Sequence, residues 1–465
     1  MEELLERAAG VRSEAIRSTS TKKRQVMAQH LTPLETAKLA ASFFSPVANG
    51  ESIKCLDLGA GTGILALATY ERYKAKLHEI DAVEADPTLA KICDEELSSA
   101  SISHALIIGD ALTATPHKRY ERVILNPPYK KMAADDERQA SLPCHCANLY
   151  AAFITVGIER LADNGELVAI VPRSWMNGDY FLPFRDFMFS HTSLDLIHVY
   201  GSRKEVFSDT DVLQETVIIR LSKRPQSEKI VISSSDTKQS EISQQSFPFW
   251  ELINAVTKIV RIAPEASCGL NKTLKDVGLC PSTGKVVDFR SRNRTYPERP
   301  EEENIFPLVY AGNFSTGILS HPLNFGKPQW FRADDIITRN QLTQPGSYVV
   351  VKRFSSKEEK RRVVAYPLIV DKPIAIENHL NFIHQGKPRK VIPLRSKELC
   401  NGLVIWLNST FIDDWFRDVS GSTQVNAGDI KAMPCPSITQ LEFLGHQWHM
   451  GMSQNEIDNV CEGLI

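Results

Sequence analysis

The feature of this sequence that most restricts its fold is the regular alternation of short apolar segments with helical segments over residues 1–225. The apolar segments have the composition of buried strands, and they are residues 53–58, 77–83, 105–109, 122–125, 166–171, 194–200 and 215–221. The segments between them favour helices, notably residues 63–73, 87–99, 149–161 and 180–190. This alternation predicts a doubly wound α/β sheet. Because the last two strands are close in sequence, we expect the sheet to end in an antiparallel pair.

The composition changes at residues 223–245, where Ser, Gln, Lys and Glu predominate. Such a segment is typical of a linker, and a chain of 465 residues is long enough for two or three domains. We therefore predict two domains, residues 1–225 and residues 226–465. The second has short strand segments, many Pro and Gly residues and a helical segment near residues 396–418, which predicts a mixed α+β fold.

The overall charge is close to neutral, with 54 Lys and Arg residues against 56 Asp and Glu residues. Bulk charge alone therefore does not hold the chain on nucleic acid or on an anionic membrane. The sequence has no apolar run of about 18 residues, so we expect no membrane span. Its charged, amphipathic N-terminus does not resemble a signal peptide.

The cysteine pattern indicates neither a disulfide framework nor a zinc ribbon, because nine cysteines are scattered without a Cys-x-x-Cys pair. Cys144-His145-Cys146 is the one cluster that suggests metal ligands. It has no second pair to complete a site, so we predict no metal. The sequence therefore predicts a reduced, cytoplasmic protein.

A glycine-rich segment closes the first predicted strand and opens the first predicted helix, with Gly59, Gly61 and Gly63. Glycines let the backbone approach a ligand closely, and a helix N-terminus supplies free N–H groups and a positive dipole. A tight turn that binds no ligand would show the same pattern of glycines. Glu84, 21 residues beyond Gly63 at the end of the next strand, has the position of a carboxylate that binds ribose hydroxyls. We therefore predict a nucleoside pocket.

Two aspartates bear on the identity of the ligand. Asp57 lies two residues before the first of these glycines, where a carboxylate would repel the pyrophosphate of a dinucleotide. It suits a cationic ligand with a free amino group, so the sequence favours S-adenosylmethionine (SAM) as cofactor. Asp110 follows the third predicted strand and is a candidate to accept a hydrogen bond from the cofactor adenine. A helix N-cap explains Asp110 equally well.

The most specific motif is an apolar strand that stops at Asn126, Pro127, Pro128 and Tyr129. Two prolines fix the backbone and remove its N–H donors, which leaves carbonyl groups free to face a substrate. The side-chain oxygen of Asn126 and the carbonyl of Pro127 could each accept a hydrogen bond from one of the two N–H groups of a planar amino group. Tyr129 offers a flat surface for the ring that carries this group. A simple turn at the end of a strand is the competing interpretation.

Together, the segment from Asp57 to Gly63 and the segment from Asn126 to Tyr129 resemble the motifs of amino-group methyltransferases that use SAM. Residues 29–33 (Gln-His-Leu-Thr-Pro) precede them, and a long C-terminal region follows. This order resembles the gamma class of DNA adenine methyltransferases, the TaqI-like enzymes of restriction–modification systems. The resemblance is strong over residues 22–225 and weak beyond them. It implies a Rossmann-like catalytic domain and a C-terminal target-recognition domain.

The resemblance also implies roles for the residues that would bind SAM. Thr32 would lie near its methionine end, beside Asp57 and the glycines of residues 59–63. Glu84 would bind the ribose hydroxyls and Asp110 the cofactor adenine.

The target base is implied to lie between two rings. Residues 126–129 would hold the adenine, and Phe207 would cover its far side. The reacting amino group is inaccessible inside a duplex, so the base must be flipped out. One difference from relatives of this class is His30-Leu31, at a place where they usually have two aromatic residues.

A DNA enzyme also needs a surface that contacts the duplex, and the C-terminal region contains a basic part. Residues 285–397 hold 20 Lys and Arg residues against 11 Asp and Glu residues. Basic clusters near aromatic residues suit contact with phosphates and base edges, and a basic run is also often only a solvated surface. The small polar loop of residues 420–426 resembles late loops in recognition domains of this family, without an assigned base contact. The candidate DNA-binding residues are Arg290, Arg292, Arg294, Lys352, Arg353, Arg361, Lys387, Arg389 and Lys390.

These features predict a monomeric enzyme that methylates adenine in a duplex recognition site and protects host DNA from a separately encoded restriction endonuclease. Three other functions share part of the pattern: methylation of glutamine in a protein, methylation of adenine in RNA, and DNA binding by an inactive methyltransferase fold. A large region after the glycine segment favours DNA over the first two. The intact motifs favour an active enzyme over the third.

Overall fold

The computed structural model describes residues 5–11, 13, 31–200, 215–235, 241–264, 270, 272–355, 358–387 and 389–465. The chain divides into two compact units, Met1–Pro264 and Glu265–Ile465. The boundary therefore lies later than the predicted boundary between residues 225 and 226.

Among the described residues, the first unit forms a nine-stranded sheet. Its strands are β1 (Ile53–Leu58), β2 (Leu77–Glu84), β3 (His104–Ile108), β4 (Tyr120–Leu125), β5 (Leu161–Pro172), β6 (Ser193–Tyr200), β7 (Thr216–Ser222), β8 (Lys229–Ser235) and β9 (Ser243–Pro248). They lie in the order β3-β2-β1-β4-β5-β7-β6-β8-β9. Neighbours from β3 to β5 are parallel, and β7 is antiparallel to both β5 and β6. The predicted strands and the antiparallel pair are confirmed, but the sheet continues beyond that pair.

Helices cover both faces of this sheet. They are α1 (Leu34–Ser42), α2 (Ile64–Tyr73), α3 (Pro87–Ser99), α4 (Ala111–Ala114), α5 (Leu149–Arg160), α6 (Leu182–His191) and α7 (Phe249–Leu252). The sheet separates two apolar clusters, because alternate residues of a strand enter different clusters. Leu58 and Leu125 pack with α5 and α6, whereas Cys55 and Ile124 pack with α1 and α2. The predicted doubly wound α/β fold is confirmed.

Local sequence explains where these helices begin. The side chain of Asp86 accepts a hydrogen bond from the Thr88 N–H group at 2.9 Å, and Pro87 occupies the first helical position of α3. Both are favoured at a helix start, because they satisfy or remove donors that have no partner inside the helix. Gly63 precedes α2 with a φ of +82°. Glycine adopts this left-handed conformation readily, which lets the chain turn directly from β1 into the helix.

The predicted linker at residues 223–245 is wrong over much of its length. Strand β8 pairs in parallel with β6, and β9 pairs antiparallel with β8. Ile230 is fully buried, whereas residues 243–246 of β9 are exposed. A strand at the edge of a sheet needs few apolar residues, which is why the composition of this segment resembles that of a linker.

The second unit contains two five-stranded sheets within its described part. Its strands are β10 (Leu279–Thr283), β11 (Thr295–Tyr296), β12 (Ile305–Val309), β13 (Trp330–Arg332), β14 (Leu342–Thr343), β15 (Gly346–Lys352), β16 (Ala365–Val370), β17 (Ile374–Ile376), β18 (Leu380–Lys387) and β19 (Lys390–Ile392). One sheet has the order β10-β18-β15-β16 with β19 beside β18, and the other has the order β11-β13-β12-β17-β14.

The helices of the second unit are mostly grouped at its C-terminal end. They are α8 (Ile336–Arg339), α9 (Lys397–Leu407), α10 (Thr410–Val419), α11 (Ala427–Lys431), α12 (Ile438–Gly445) and α13 (Gln454–Glu462). The predicted mixed α+β fold of this region is confirmed. In neither unit do the described residues include a helix long and apolar enough to span a membrane.

Helices α9 and α12 approach each other closely where each carries a glycine. A Cβ atom added at Gly402 would lie 1.7 Å from the carbonyl oxygen of Leu441, and one added at Gly445 would lie 1.8 Å from that of Glu398. Both neighbours are backbone atoms, so they cannot move aside unless a helix moves. The close packing of these two helices therefore requires glycine at both positions.

We predict that Gly402→Ala destabilises the second unit, because the added methyl group forces α9 and α12 apart. Overpacking of a core typically costs about 1–3 kcal/mol, and a clash with backbone belongs at the upper end of this range. Chemical denaturation of the full chain measures the change. Gly428→Ala is the matched control, since a Cβ at Gly428 has no neighbour within 4 Å. Equal stability of the two variants would contradict the close packing.

Candidate active site

The register of the parallel strands brings the predicted motifs to one edge of the sheet. Leu58 of β1 pairs with Val83 of β2 and with Leu125 of β4, and Glu84 pairs with Ile108 of β3. The segments that follow these strands therefore start at the same level. The edge lies where the strand order reverses, the usual ligand position in open α/β sheets. A pocket at this edge is lined by Leu31, Gly59, Gly61, Val83, Glu84, Ala85, Leu89, Gly109, Asp110, Ala111, Asn126, Pro128 and Phe153.

The glycine segment forms one wall of the pocket in a conformation that favours glycine. Gly59, Gly61 and Gly63 have φ angles of +78°, +57° and +82°. A Cβ atom at Gly61 would lie 3.0 Å from Leu31 Cδ2, and one at Gly59 would lie 3.4 Å from Phe153 Cε1. Side chains here would therefore cause strain and narrow the pocket, as expected of a segment whose backbone approaches a ligand.

Glu84 lines the pocket and also fixes the glycine segment. Its Oε2 accepts a hydrogen bond from the Gly61 N–H group at 2.8 Å, and its Oε1 accepts one from the Asp86 N–H group at 2.8 Å. The side chain is buried, and this burial raises its pKa above the ordinary value, although the two N–H groups oppose the shift. A carboxylate oxygen has more than one lone pair, so Glu84 can accept further hydrogen bonds from a ligand.

Asp57 lies beneath the glycine segment and does not line the pocket. Its Oδ2 accepts a hydrogen bond from the Ala66 N–H group in the first turn of α2 at 3.1 Å. Its Oδ1 is buried and has no hydrogen-bond partner within the described part of the chain. Burial raises the pKa of Asp57 to about 8, the Ala66 N–H group lowers it, and the charge of Glu84 raises it further. A neighbouring positive charge would favour the ionised carboxylate.

Asp110 lines the pocket and also serves as the N-cap of α4. Its Oδ1 accepts a hydrogen bond from the Leu112 N–H group at 2.9 Å, which is the competing interpretation that the sequence left open. Its Oδ2 lies 2.9 Å from Nη1 of Arg138, which also pairs with Asp136 at 2.7 Å. The carboxylate of Asp110 is therefore held in place at the rim of the pocket by two contacts.

Asn126 is the centre of a hydrogen-bonded group of side chains at the end of β4. Its Nδ2 donates to Thr32 Oγ1 at 2.9 Å, and its Oδ1 accepts from the Tyr129 hydroxyl at 2.9 Å. The Tyr129 hydroxyl also lies 3.2 Å from the carbonyl oxygen of Ile170 in β5. These contacts fix the amide of Asn126 relative to Thr32, Tyr129 and the core of the sheet.

The structure thus brings most of the predicted residues together. Glu84, Asp110, Asn126 and Pro128 line the pocket with Gly59 and Gly61, whereas Pro127 is buried at the end of β4. Tyr129 is half-buried beside Asn126, and its ring meets Tyr150 edge to face at 6.5 Å. Phe207 and His30 lie outside the described residues.

Several apolar pocket residues and one cation were not predicted as site residues. Leu31 and Phe153 cover the glycine segment, and Arg138 holds Asp110. Phe153 lies in α5, where every residue from Leu149 to Ile158 is buried, so no pattern distinguishes it from other core residues. The contact of Arg138 joins residues that are 28 positions apart, which spacing alone does not reveal.

Cys144 and Cys146, the only cysteine cluster in the sequence, have Sγ atoms 3.8 Å apart. Both sulfur atoms also lie within 3.8 Å of Thr155 Oγ1. Among the residues that the structure describes, no group of three or more His, Cys, Asp and Glu side chains could hold a metal ion.

Several of the predicted DNA-binding cations in the second unit are engaged within that unit. Arg294 pairs with Asp334 and Asp335, and Lys352 lies 2.7 Å from Glu359. Their charges are therefore balanced locally.

Arg353 and Arg361 donate hydrogen bonds to backbone carbonyl groups. Arg353 donates to Asn378 at 3.0 Å and Arg361 donates to Ser409 at 2.8 Å. The remaining candidates are exposed, and they are Arg290, Arg292, Lys387, Arg389 and Lys390.

Comparison with known proteins identifies relatives over nearly the whole chain. Residues 55–207 match the Eco57I restriction-modification methylase family. The Type II methyltransferase M.BsuBI of Bacillus subtilis is 35% identical over 96% of this chain and 95% of that protein. The Type II methyltransferase M.PstI of Providencia stuartii is 33% identical over 94% of this chain and 92% of that protein. These matches extend through both units.

A solved structure shares the fold of most of the chain. The Type IIL restriction-modification enzyme MmeI in complex with DNA superposes with a TM-score of 0.59 at 12% identity. The match covers 89% of this chain and 70% of that one. At this identity the likeness concerns the fold alone.

We predict that Asp57 makes the stability of the protein depend on pH. Burial raises its pKa from the ordinary value of 3.8 to about 8, so between these values the folded protein holds a proton that the unfolded chain has lost. The free energy of unfolding should therefore fall as the pH rises through this range. Asp57→Asn has no such proton and should show a smaller fall. Denaturant titrations of both proteins from pH 5 to pH 8.5 measure the difference, and parallel curves would show that folded Asp57 is ionised.

Proposed function

Because this chain belongs to the Type II methyltransferases of restriction–modification systems, we propose that it methylates the exocyclic amino group of adenine within a duplex DNA site, with SAM as the methyl donor. The observation that carries this proposal is the pairing of Leu58 with Leu125, which sets the glycine segment beside Asn126 at one pocket. The glycine segment suits a nucleoside cofactor, and Asn126 suits a planar amino group. The methyl group would pass from the cofactor to the amino group.

The residues around the pocket would provide acceptors for SAM. The close backbone at Gly59 and Gly61 would admit a flat nucleoside, and Glu84 would offer carboxylate oxygens to its ribose hydroxyls. Asp110 lies at the rim, where it would accept a hydrogen bond from the cofactor adenine. The buried Oδ1 of Asp57 is an acceptor without a described partner, and a cationic ligand nearby would offset the cost of its charge. Thr32 would lie near the methionine end.

Residues 126–129 would activate the target amino group. An adenine amino group is a poor nucleophile, because its lone pair is delocalised into the ring. Asn126 Oδ1 and the Pro127 carbonyl would each accept a hydrogen bond from one of its two N–H groups. These hydrogen bonds favour a pyramidal nitrogen, whose lone pair points away from the two acceptors. When bound, SAM supplies a methyl group on a positively charged sulfur, which is already a good leaving group. The residues therefore act by positioning and electrostatics.

The contacts of Asn126 are compatible with this role. Its Oδ1 accepts one hydrogen bond from Tyr129, and an amide oxygen has a second lone pair for the substrate. The Thr32 hydroxyl accepts from Nδ2, which fixes the orientation of the amide. The amide is in place before the substrate arrives, which lowers the cost of reaching the reactive geometry.

The adenine would have to leave the duplex to reach this site. Base flipping removes the stacking energy of the helix, and aromatic side chains replace part of it. Tyr129 would supply one ring, and Phe207 is the candidate for the other. The exposed cations Arg290, Arg292, Lys387, Arg389 and Lys390 of the second unit would contact phosphates, which positions the duplex without selecting a sequence.

We propose that the enzyme acts as a monomer and protects DNA from a separately encoded restriction endonuclease. The relatives that match nearly the whole chain are named Type II methyltransferases, which favours DNA over protein glutamine or RNA as the substrate. The intact Asn126–Tyr129 segment favours an enzyme over an inactive DNA-binding protein.

Sequencing of DNA from cells that express this protein, with detection of modified bases, tests the proposed function. We expect N6-methyladenine in one short sequence context. DNA without methyladenine would overturn the proposal, and methyladenine in RNA or methylglutamine in protein would indicate the corresponding alternative.

We predict that Asn126→Ala lowers the rate of methyl transfer by about 10²–10³-fold, the usual cost of removing a fixed hydrogen-bond partner of the reacting group. SAM affinity should remain close to that of the wild type, because Glu84 and the glycine segment are unchanged. Single-turnover methylation and equilibrium binding of SAM separate the two effects. Asn49→Ala, at an exposed position in the same unit, is the control. Wild-type turnover by Asn126→Ala would refute its catalytic role.

We predict that Tyr129→Ala loses most methyl transfer, whereas Tyr129→Phe keeps much more, because the ring would support the flipped base and the hydroxyl orients Asn126. Phe207→Ala should weaken capture of the base. Fluorescence of 2-aminopurine at the target position measures flipping in each variant. If Tyr129→Phe is as inactive as Tyr129→Ala, the hydroxyl and not the ring is essential.

A further inference from the structure

Three chain segments of the second unit meet at an exposed aromatic side chain. Arg353 accepts a backbone hydrogen bond from Val425 at 2.8 Å and donates one to His379 at 3.0 Å. Ser355 donates a backbone hydrogen bond to Thr423 at 3.1 Å. These contacts join the end of β15, the turn before β18 and the polar loop of residues 420–426. The side chains that emerge here are therefore carried by a firmly connected backbone.

The exposed aromatic residue is Phe354, which keeps 37% of its surface accessible. The ring centroid of His379 lies 4.8 Å from that of Phe354, and the guanidinium of Arg353 lies 5.7 Å from the same ring. Gln424 forms a backbone bridge with Phe354. We define the Phe354 patch as Arg353, Phe354, His379 and Gln424.

A buried carboxylate holds the exposed imidazole of the patch. Glu377 is 1% exposed, whereas the side chain of His379 is 57% exposed. Glu377 Oε2 accepts a hydrogen bond from the backbone N–H group of His379 at 2.8 Å, and Glu377 Oε1 contacts Nδ1 of the His379 ring. A carboxylate only accepts hydrogen bonds, so Nδ1 donates to Glu377 and this contact sets the orientation of the ring. Burial of a carboxylate costs free energy. Because the buried Glu377 holds His379 by two contacts, the imidazole ring has a defined orientation.

The polar groups of the patch are only partly used within the protein. Arg353 Nη2 donates to Gln424 Oε1 at 3.3 Å, which fixes the side-chain amide. Within the described residues, the amide nitrogen of Gln424 has no hydrogen-bond partner. The patch therefore presents a fixed set of donors and acceptors beside an aromatic ring.

These groups suit base edges better than phosphates. The amide of Gln424 is uncharged and cannot offset phosphate charge, whereas glutamine pairs with adenine and arginine with guanine at their groove edges. The hairpin of β18 and β19 differs, because it exposes the cations Lys387, Arg389 and Lys390. Contacts of that kind position a duplex without selecting its sequence.

We infer that the Phe354 patch contacts base edges of the duplex and determines part of the recognition sequence. The inference rests on the proposed function, since it assigns the sequence-selecting surface of the same enzyme. The joined backbone, the buried Glu377 and the unused amide of Gln424 carry it.

Methylation by full-length variants tests this role. Gln424→Glu keeps an acceptor beside Arg353 and so preserves the fold, but it removes both amide donors. His379→Gln removes the imidazole ring. Each variant is assayed on duplexes that carry the native site and every single base-pair change in it. We expect the methylation rate of each variant at the native site to fall by about 10–100-fold relative to the wild type, as for the loss of a base contact. On duplexes with one or two of the base-pair changes, the variant should lose less activity or gain activity relative to the wild type.

Gln447→Ala and His449→Ala are matched controls, because they change the same residue types at exposed positions of the same unit. SAM binding and thermal unfolding show whether each variant is folded. Unchanged rates and preferences in the patch variants would overturn the inference while the proposed function stands, and so would an equal loss on all duplexes, which indicates a phosphate contact. Absence of DNA methylation by the wild type would overturn both.

Discussion

The parallel pairing of β1 with β2 and β4 is the constraint on which the rest of the first unit depends. Leu58 is level with Val83 on one side and with Leu125 on the other, so the segments after all three strands start at one edge. A shift of one residue would turn every side chain of β1 to the opposite face and remove Leu58 from its apolar cluster. The core therefore fixes the register, and the register places the glycine segment beside Asn126.

The site combines this rigid frame with buried charge. Asp57, beneath the glycine segment, and Glu84, which lines the pocket, are both buried, and N–H groups of Ala66, Gly61 and Asp86 oppose the rise in their pKa values. Such groups destabilise a protein unless a partner compensates them, and they cluster where ligands bind. The buried charge at this pocket is consistent with the proposed cationic ligand.

The sequence predicted the first unit well, because buried parallel strands are continuous apolar runs and because glycine, proline and asparagine have strong local preferences. The predictions were wrong or incomplete where the chain lacks apolar runs and residues with strong local preferences. Strand β9 has a polar composition because it lies at an edge, so its sequence pattern predicts a linker. Leu31 and Phe153 line the pocket but look like any core residue. The contact between Arg138 and Asp110 depends on a loop conformation that no periodicity encodes.

The basic character of residues 285–397 illustrates why composition and surface differ. Arg294 and Lys352 are paired with carboxylates, and Arg361 is half-buried with a backbone carbonyl as its partner. A count of charges includes such residues, although they offer little to a phosphate. The exposed cations are fewer and provide attraction without selectivity. Selection of a sequence then requires oriented groups of modest charge, and these depend on contacts between distant segments, which only the folded unit reveals.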